Sequence, residues 1–143
     1  MRRIDRTIAG KARVLADFEG DWQLERRIVQ AGAPAATFQG HAVWRPKGEG
    51  LQYVETGVLT LAGQPPMHSE RRCFWAPDMS VYFDDGRFFH KVPASGGETG
   101  HWCDPDQYDV RYDFAAWPDF RTIWRVRGPK KDYEMISAYQ KQG

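Results

Sequence analysis

Hydrophobic and polar residues alternate along several segments in the second half of the chain. Between residues 108 and 114, tyrosine, valine and phenylalanine take the even positions and charged residues take the odd ones. Residues 120–126 repeat the pattern with Ile123 as the exception, and the last segment places on one face Tyr133, Met135, Ser137 and Tyr139. A period of two is typical of a half-buried β-strand and not of a helix. The pattern therefore predicts three consecutive strands.

Clusters of glycine, proline and aspartate divide the chain at short intervals after Gly20. The clearest turn lies within residues 81–90, where Asp85-Gly86 separates two aromatic runs. Aspartate followed by glycine favours a tight hairpin turn, in which the glycine takes a positive φ. We therefore predict a β-hairpin here, with His90 on the same face as Phe88.

The N-terminal segment has a different pattern. From Arg2 to Phe18, apolar residues recur three or four positions apart, as in Ile4, Ile8, Ala12 and Leu15. This spacing places them on one face of a helix. It predicts a short amphipathic helix within residues 1–18.

The remaining segments predict eight to ten short strands joined by short connections, within a single domain spanning residues 1–143. So many consecutive strands must close on themselves or leave two edges open to aggregation. We therefore predict an all-β fold, an antiparallel up-and-down barrel over residues 20–141. A two-sheet sandwich is the alternative that the same alternation allows.

Composition narrows the range of partners. The chain has 20 Lys plus Arg against 19 Asp plus Glu, so its overall field gives no reason to expect nucleic acid or an acidic membrane as partner. We interpret the pair Arg71-Arg72 as part of a solvated face or a turn. No apolar run approaches the length of a membrane helix. We expect Cys73 and Cys103 to be reduced thiols, which indicates a cytoplasmic protein.

The start of the first predicted strand resembles a known motif. Phe18-Glu19-Gly20-Asp21-Trp22 is similar to the Gly-x-Trp entry of the calycin superfamily, which includes lipocalins, fatty-acid-binding proteins and nitrobindin-like barrels. In that pattern the tryptophan closes one end of the barrel and a cation from a late strand packs over it. The resemblance leaves three candidates for this cation: Arg125, Arg127 and Lys141.

Four further segments resemble the signatures of a bacterial domain family of unknown function: residues 50–57, 85–90, 101–108 and 124–133. Together with the first motif, the resemblance covers nearly everything after Asp17. It implies a calycin-like barrel, and it carries over no activity, ligand or catalytic residue.

Two charged residues fall on apolar faces of predicted strands. Arg26 shares a face with Trp22 and Leu24, and Glu55 shares one with Leu51 and Tyr53. Burying an isolated charge costs several kcal/mol or more, so each needs a partner, water or a ligand. A purely structural ion pair is one interpretation. We expect the other, in which both charges face a wet cavity that is kept open for a ligand.

The candidate pocket follows from these charges. Inward tyrosines would complete its lining: Tyr53, Tyr108, Tyr112 and Tyr139. A mostly aromatic interior with a few polar groups is typical of a binding site for a small hydrophobic or aromatic molecule. Arg87, directly after the hairpin turn, is a candidate anion-binding residue at the mouth of the barrel.

His90 has several possible roles. A histidine on an apolar face is most often a hydrogen-bonded core residue. As a general base paired with Glu55, it would make the protein an enzyme, which is the alternative function. An axial haem ligand and a zinc ligand beside His101 and Cys103 are the other options, but neither is accompanied by a supporting motif. We expect no metal and no cofactor.

Overall fold

The structure is a computed structural model and describes residues 11–142. These residues form one 3-10 turn, Leu15–Phe18, followed by ten strands in a single antiparallel sheet. The strands are β1 (Gly20–Gln30), β2 (Ala36–Lys47), β3 (Gly50–Thr60), β4 (Met67–Trp75), β5 (Ser80–Phe83), β6 (Phe88–Lys91), β7 (Gly97–Cys103), β8 (Asp106–Asp113), β9 (Phe120–Arg127) and β10 (Asp132–Lys141).

The sheet curls into a nearly closed barrel. Strands β1 to β6 lie side by side in chain order, as do β7 to β10, and β1 pairs with β10. Between β6 and β7 the described residues form no strand ladder, although the rings of Phe88 and His101 lie 5.6 Å apart across the gap. The predicted all-β up-and-down barrel is confirmed, and the two-sheet sandwich is wrong because one continuous sheet surrounds the core.

Within the described residues, only a 3-10 turn forms where the sequence predicts the N-terminal helix. Residues 1–10 of that prediction lie outside the described residues, residues 11–14 are not helical, and only the 3-10 turn follows. The last apolar residue of this segment belongs to the core of the barrel, because Phe18 is fully buried. Its ring packs against Trp44 and Trp75, at centroid distances of 5.7 and 5.0 Å. The segment therefore plugs one end of the barrel.

Trp22 completes this plug. Its indole N–H donates to the carbonyl oxygen of Phe18 at 2.9 Å. The ammonium of Lys141 lies 4.6 Å from the Trp22 ring centroid and donates to the carbonyl oxygen of Glu19. Among the three cations left open by the resemblance, Lys141 is the one that packs on the tryptophan.

The predicted hairpin forms between β5 and β6, with Gly86 at a φ of 91°. The hairpin contains a β-bulge in β6. Tyr82 pairs with Phe88 and Val81 pairs with His90, so Phe89 is an extra residue between the two pairs. Phe88 is consequently 45% exposed, whereas Phe89 and His90 are buried. The prediction that Phe88 and His90 share a face is therefore wrong.

Candidate functional site

A buried ion pair joins β1 to β3 across the intervening strand β2. The guanidinium of Arg26 donates from Nη1 to Glu55 Oε2 at 2.6 Å and from Nη2 to Glu55 Oε1 at 2.9 Å. Arg26 also donates from Nε to the hydroxyl of Ser137, which lies opposite it on β10. The two charged side chains are only 6% and 3% exposed. This two-point contact holds the carboxylate in one orientation.

Two tyrosine hydroxyls extend the pair into a chain. Tyr53 donates its hydroxyl proton to Glu55 Oε1. The hydroxyl of Tyr139 lies 2.8 Å from that of Tyr53. Because the Tyr53 proton is directed at the carboxylate, Tyr139 acts as the donor in this second bond. This chain of hydrogen bonds therefore runs from the ion pair toward the middle of the barrel.

Glu55 also contacts a second arginine, Arg71, which lies opposite it on β4. The distance from Arg71 Nη2 to Glu55 Oε1 is 3.2 Å. Burial alone would raise the pKa of Glu55, but the two guanidiniums outweigh it and lower this pKa to about 2. Glu55 is therefore ionised at neutral pH.

The interpretation of Arg71 as a residue of a solvated face is wrong. Arg71 has the same strand parity as the buried residues Cys73 and Trp75, so its side chain points inward. The guanidinium carbon lies 4.8 Å from the centroid of the Trp124 ring. Alternation along β4 would have identified Arg71 as an inward-pointing residue. Two adjacent arginines instead favoured the interpretation that both are exposed to solvent. Arg72 is on the outside, where it pairs with Glu70.

A cavity of about 30 Å³ lies beside these residues in the middle of the barrel. Its lining is largely aromatic and includes Trp44, Tyr53, Arg71, Cys73, Trp75, Val81, Phe89, His90, Tyr112, Phe120, Thr122, Trp124 and Tyr139. This volume holds one or two water molecules. Arg26 and Glu55 are not part of the lining, so the expectation that both face the cavity is wrong. Glu55 is linked to the cavity through two lining residues, Tyr53 and Arg71.

His90 and Tyr112 form a second polar pair on the cavity wall. His90 Nε2 lies 2.8 Å from the Tyr112 hydroxyl. Within the described part of the chain, His90 Nδ1 and the indole nitrogen of Trp44 are buried without a hydrogen-bond partner. Buried polar groups are nearly always paired, so these two atoms are positions at which a molecule in the cavity would form hydrogen bonds.

The two remaining predicted site residues lie elsewhere. Arg87 is exposed and pairs with Asp85 in the hairpin turn, with its Nη1 3.6 Å from Cys103 Sγ. Tyr108 is buried against Phe89, and its hydroxyl accepts a hydrogen bond from Lys131. Neither contributes to the cavity lining. The structure thus brings Tyr53, His90, Tyr112 and Tyr139 together around the cavity and separates the other four predicted residues from it.

The geometry gives little support to acid–base catalysis. Burial, with smaller contributions from His101 and Arg71, lowers the pKa of His90 to about 3. No hydrogen bond among the described residues joins His90 to Glu55. A general acid or base works best with a pKa near the working pH, and neither residue meets that condition. Residues 11–142 also contain no group of three or more histidine, cysteine or acidic side chains arranged for a metal ion.

Comparison with solved structures finds the same fold in the S-type phycobiliprotein lyase from Guillardia theta. The TM-score is 0.66, over 96% of this chain and 97% of that chain. The sequence identity is 8%, so the similarity shows the fold alone. It confirms the predicted lipocalin-like barrel.

No curated protein matches the chain. In the described residues, no helix is long and apolar enough to cross a membrane. The sequence profile of DUF6314, a family of unknown function, matches residues 18–141. That range is most of the chain, and the protein therefore belongs to the DUF6314 family.

Proposed function

We propose that this protein binds a small hydrophobic or aromatic molecule inside its barrel. The observation that carries the proposal is the central cavity, whose aromatic wall includes two buried polar residues with unpaired atoms, Trp44 and His90. Binding sites for small molecules have this composition, since apolar walls supply affinity and a few polar groups fix orientation. The tyrosines of the lining, Tyr53, Tyr112 and Tyr139, add hydroxyl groups at defined positions.

A molecule larger than water must enlarge the cavity when it enters. The gap between β6 and β7 is the place where this costs least, because no strand hydrogen bonds have to be broken there. Phe89 and His90 lie on β6 and line the cavity. Displacing β6 outward would therefore open a path from the gap to the cavity.

A further observation concerns the compartment in which the protein works. Cys73 and Cys103 are both free thiols, which supports the expectation of a reducing cytoplasm. The proposal is thus a cytoplasmic binding protein with a small-molecule partner.

A neutral aromatic probe tests the proposal. N-phenyl-1-naphthylamine becomes fluorescent in apolar sites, and we expect it to bind the purified protein at one site. Thr122→Leu enlarges a side chain on the cavity wall and should weaken binding about tenfold or more by occupying the space. Thr56→Leu makes the same change at an exposed position of β3 and should leave binding unchanged.

Native mass spectrometry of freshly purified protein provides an independent measurement. We expect it to show a co-purified molecule whose occupancy falls in Thr122→Leu. Equal binding of the probe by both threonine variants would contradict an interior site. Absence of any binding by the parent protein would contradict the proposed function itself.

A further inference from the structure

The charges inside the barrel do not balance. Glu55 contributes one negative charge, and it contacts two guanidiniums, those of Arg26 and Arg71. Burial opposes the charged form of each arginine, but Glu55 outweighs it and raises both pKa values above their usual range. Both arginines stay charged. The cluster therefore carries one excess positive charge, and of its three charged side chains only that of Arg71 is partly exposed.

The other ionisable groups around the cavity do not compensate this charge. Burial raises the pKa of each tyrosine in the lining above its usual value: Tyr53, Tyr112 and Tyr139. Burial likewise raises the pKa of Cys73 to about 11. All four are therefore neutral at pH 7, as is His90, whose pKa is lowered to about 3.

Arg26 and Arg71 differ in how many hydrogen bonds their guanidinium groups donate to the protein. Arg26 directs Nε, Nη1 and Nη2 at protein acceptors and is almost fully buried. Among the described residues, Arg71 makes one hydrogen bond, and its side chain is 34% exposed. A guanidinium has five N–H donors in a planar fork. Arg71 therefore has donors left for a second planar anion and lines the cavity, whereas Arg26 uses three of its five donors on protein acceptors and is not part of the lining.

Trp44 supplies a second, independent indication. Its indole N–H is buried without an acceptor, and the residue lines the same cavity as Arg71. An indole nitrogen only donates. A molecule that satisfies both groups must present hydrogen-bond acceptors, and a single negative charge would balance the cluster.

We propose that Arg71 is an anion-binding residue and that the cavity takes an aromatic molecule carrying one carboxylate. The inference rests on the proposed function and adds the chemical class of the ligand. The carboxylate matches the planar fork of Arg71 and neutralises the excess charge. The aromatic body packs among the rings of the cavity wall, such as Trp124 and Phe89. A phosphate, with its second charge and tetrahedral shape, fits this arrangement less well.

The test compares 1-naphthoate with 1-naphthamide, a neutral molecule of nearly the same shape. Isothermal titration at pH 7 should show about tenfold or more tighter binding of the naphthoate, since a charge-assisted contact is involved. In Arg71→Gln this preference should disappear while naphthamide binding stays. Arg72→Gln is the matched control, because the neighbouring arginine is on the outer face and pairs with Glu70. It should keep the preference.

Arg71→Lys provides a second variant that keeps the positive charge. It should retain part of the preference for naphthoate, which a merely structural role of Arg71 would not predict. Equal affinity of the parent protein for both probes would overturn the inference and leave the proposed function standing. An equal preference in Arg71→Gln and Arg72→Gln would also overturn it. Failure of both probes to bind would contradict the proposed function together with the inference.

Discussion

Glu55 is the residue on which the buried charges depend. If it becomes neutral, Arg26 and Arg71 lose their common partner, and Arg26 is buried too deeply for water to replace it. Glu55→Gln should therefore lower the free energy of unfolding by about 3–5 kcal/mol. Arg26→Met should cost less, because Glu55 keeps its contacts with Arg71 and Tyr53. Denaturant unfolding at pH 7 measures both losses.

Glu70→Gln is the control for this prediction. Glu70 lies on the outer face of the same sheet and pairs with Arg72, where solvent screens both charges. The control should change stability by less than about 1 kcal/mol. A larger loss for Arg26→Met than for Glu55→Gln would contradict the assignment of Glu55 as the shared partner.

At the scale of single residues, the sequence identified charges on apolar faces but not their arrangement. Arg26 and Glu55 could be recognised because each follows buried residues of the same parity. Their direct pairing across β2 depends on barrel curvature, which no local pattern encodes. Arg71 was missed because its neighbour Arg72 made the pair resemble a surface, and its partner Glu55 lies far away in sequence.

At the scale of elements, alternation predicted the strands well and failed where a strand is irregular. Residues 108–113 and 120–127 form β8 and β9 as the pattern predicts. The bulge in β6 was not predictable, because a single extra residue changes which side chains point inward without altering composition. For this reason Phe88 and His90 were assigned to one face, whereas Phe88 is exposed and His90 is buried.

The hairpin of β5 and β6 should be the least protected part of the barrel. It is joined to β4 only over residues 73–75, and the outer edge of β6 has no strand partner among the described residues. Hydrogen exchange followed by mass spectrometry should show faster amide exchange in β6 than in β1, which is paired on both sides. Similar protection in β1 and β6 would contradict a gap that opens there. N-phenyl-1-naphthylamine at saturation should slow exchange in β6 if that strand closes over the molecule.

At the scale of the whole molecule, the sequence predicted a barrel because many short strands need closure. It did not predict the position of the gap, which depends on the lengths of β6 and β7 relative to their neighbours. The folded barrel also holds a buried histidine, His90, whose protonation is disfavoured by burial. His90 is 2% exposed, and burial lowers its pKa to about 3 from a usual value of 6.5. The unfolded chain protonates the same ring below about pH 6.5.

Proton binding therefore favours the unfolded chain as the pH falls from about 6.5 toward 3, and the stability present at neutral pH is lost across that window. We expect the free energy of unfolding, measured in urea, to fall by about 2 kcal/mol between pH 7 and pH 5. Glu55 contributes little to this change. Folding lowers the pKa of its carboxyl from 4.5 to about 2, so the stability that it contributes is lost only below about pH 5. His90→Phe should remove most of the loss, whereas His41→Phe, at an exposed position of β2, should retain it. An unchanged loss in His90→Phe would show that the buried ring is not the group that links the stability of the barrel to pH.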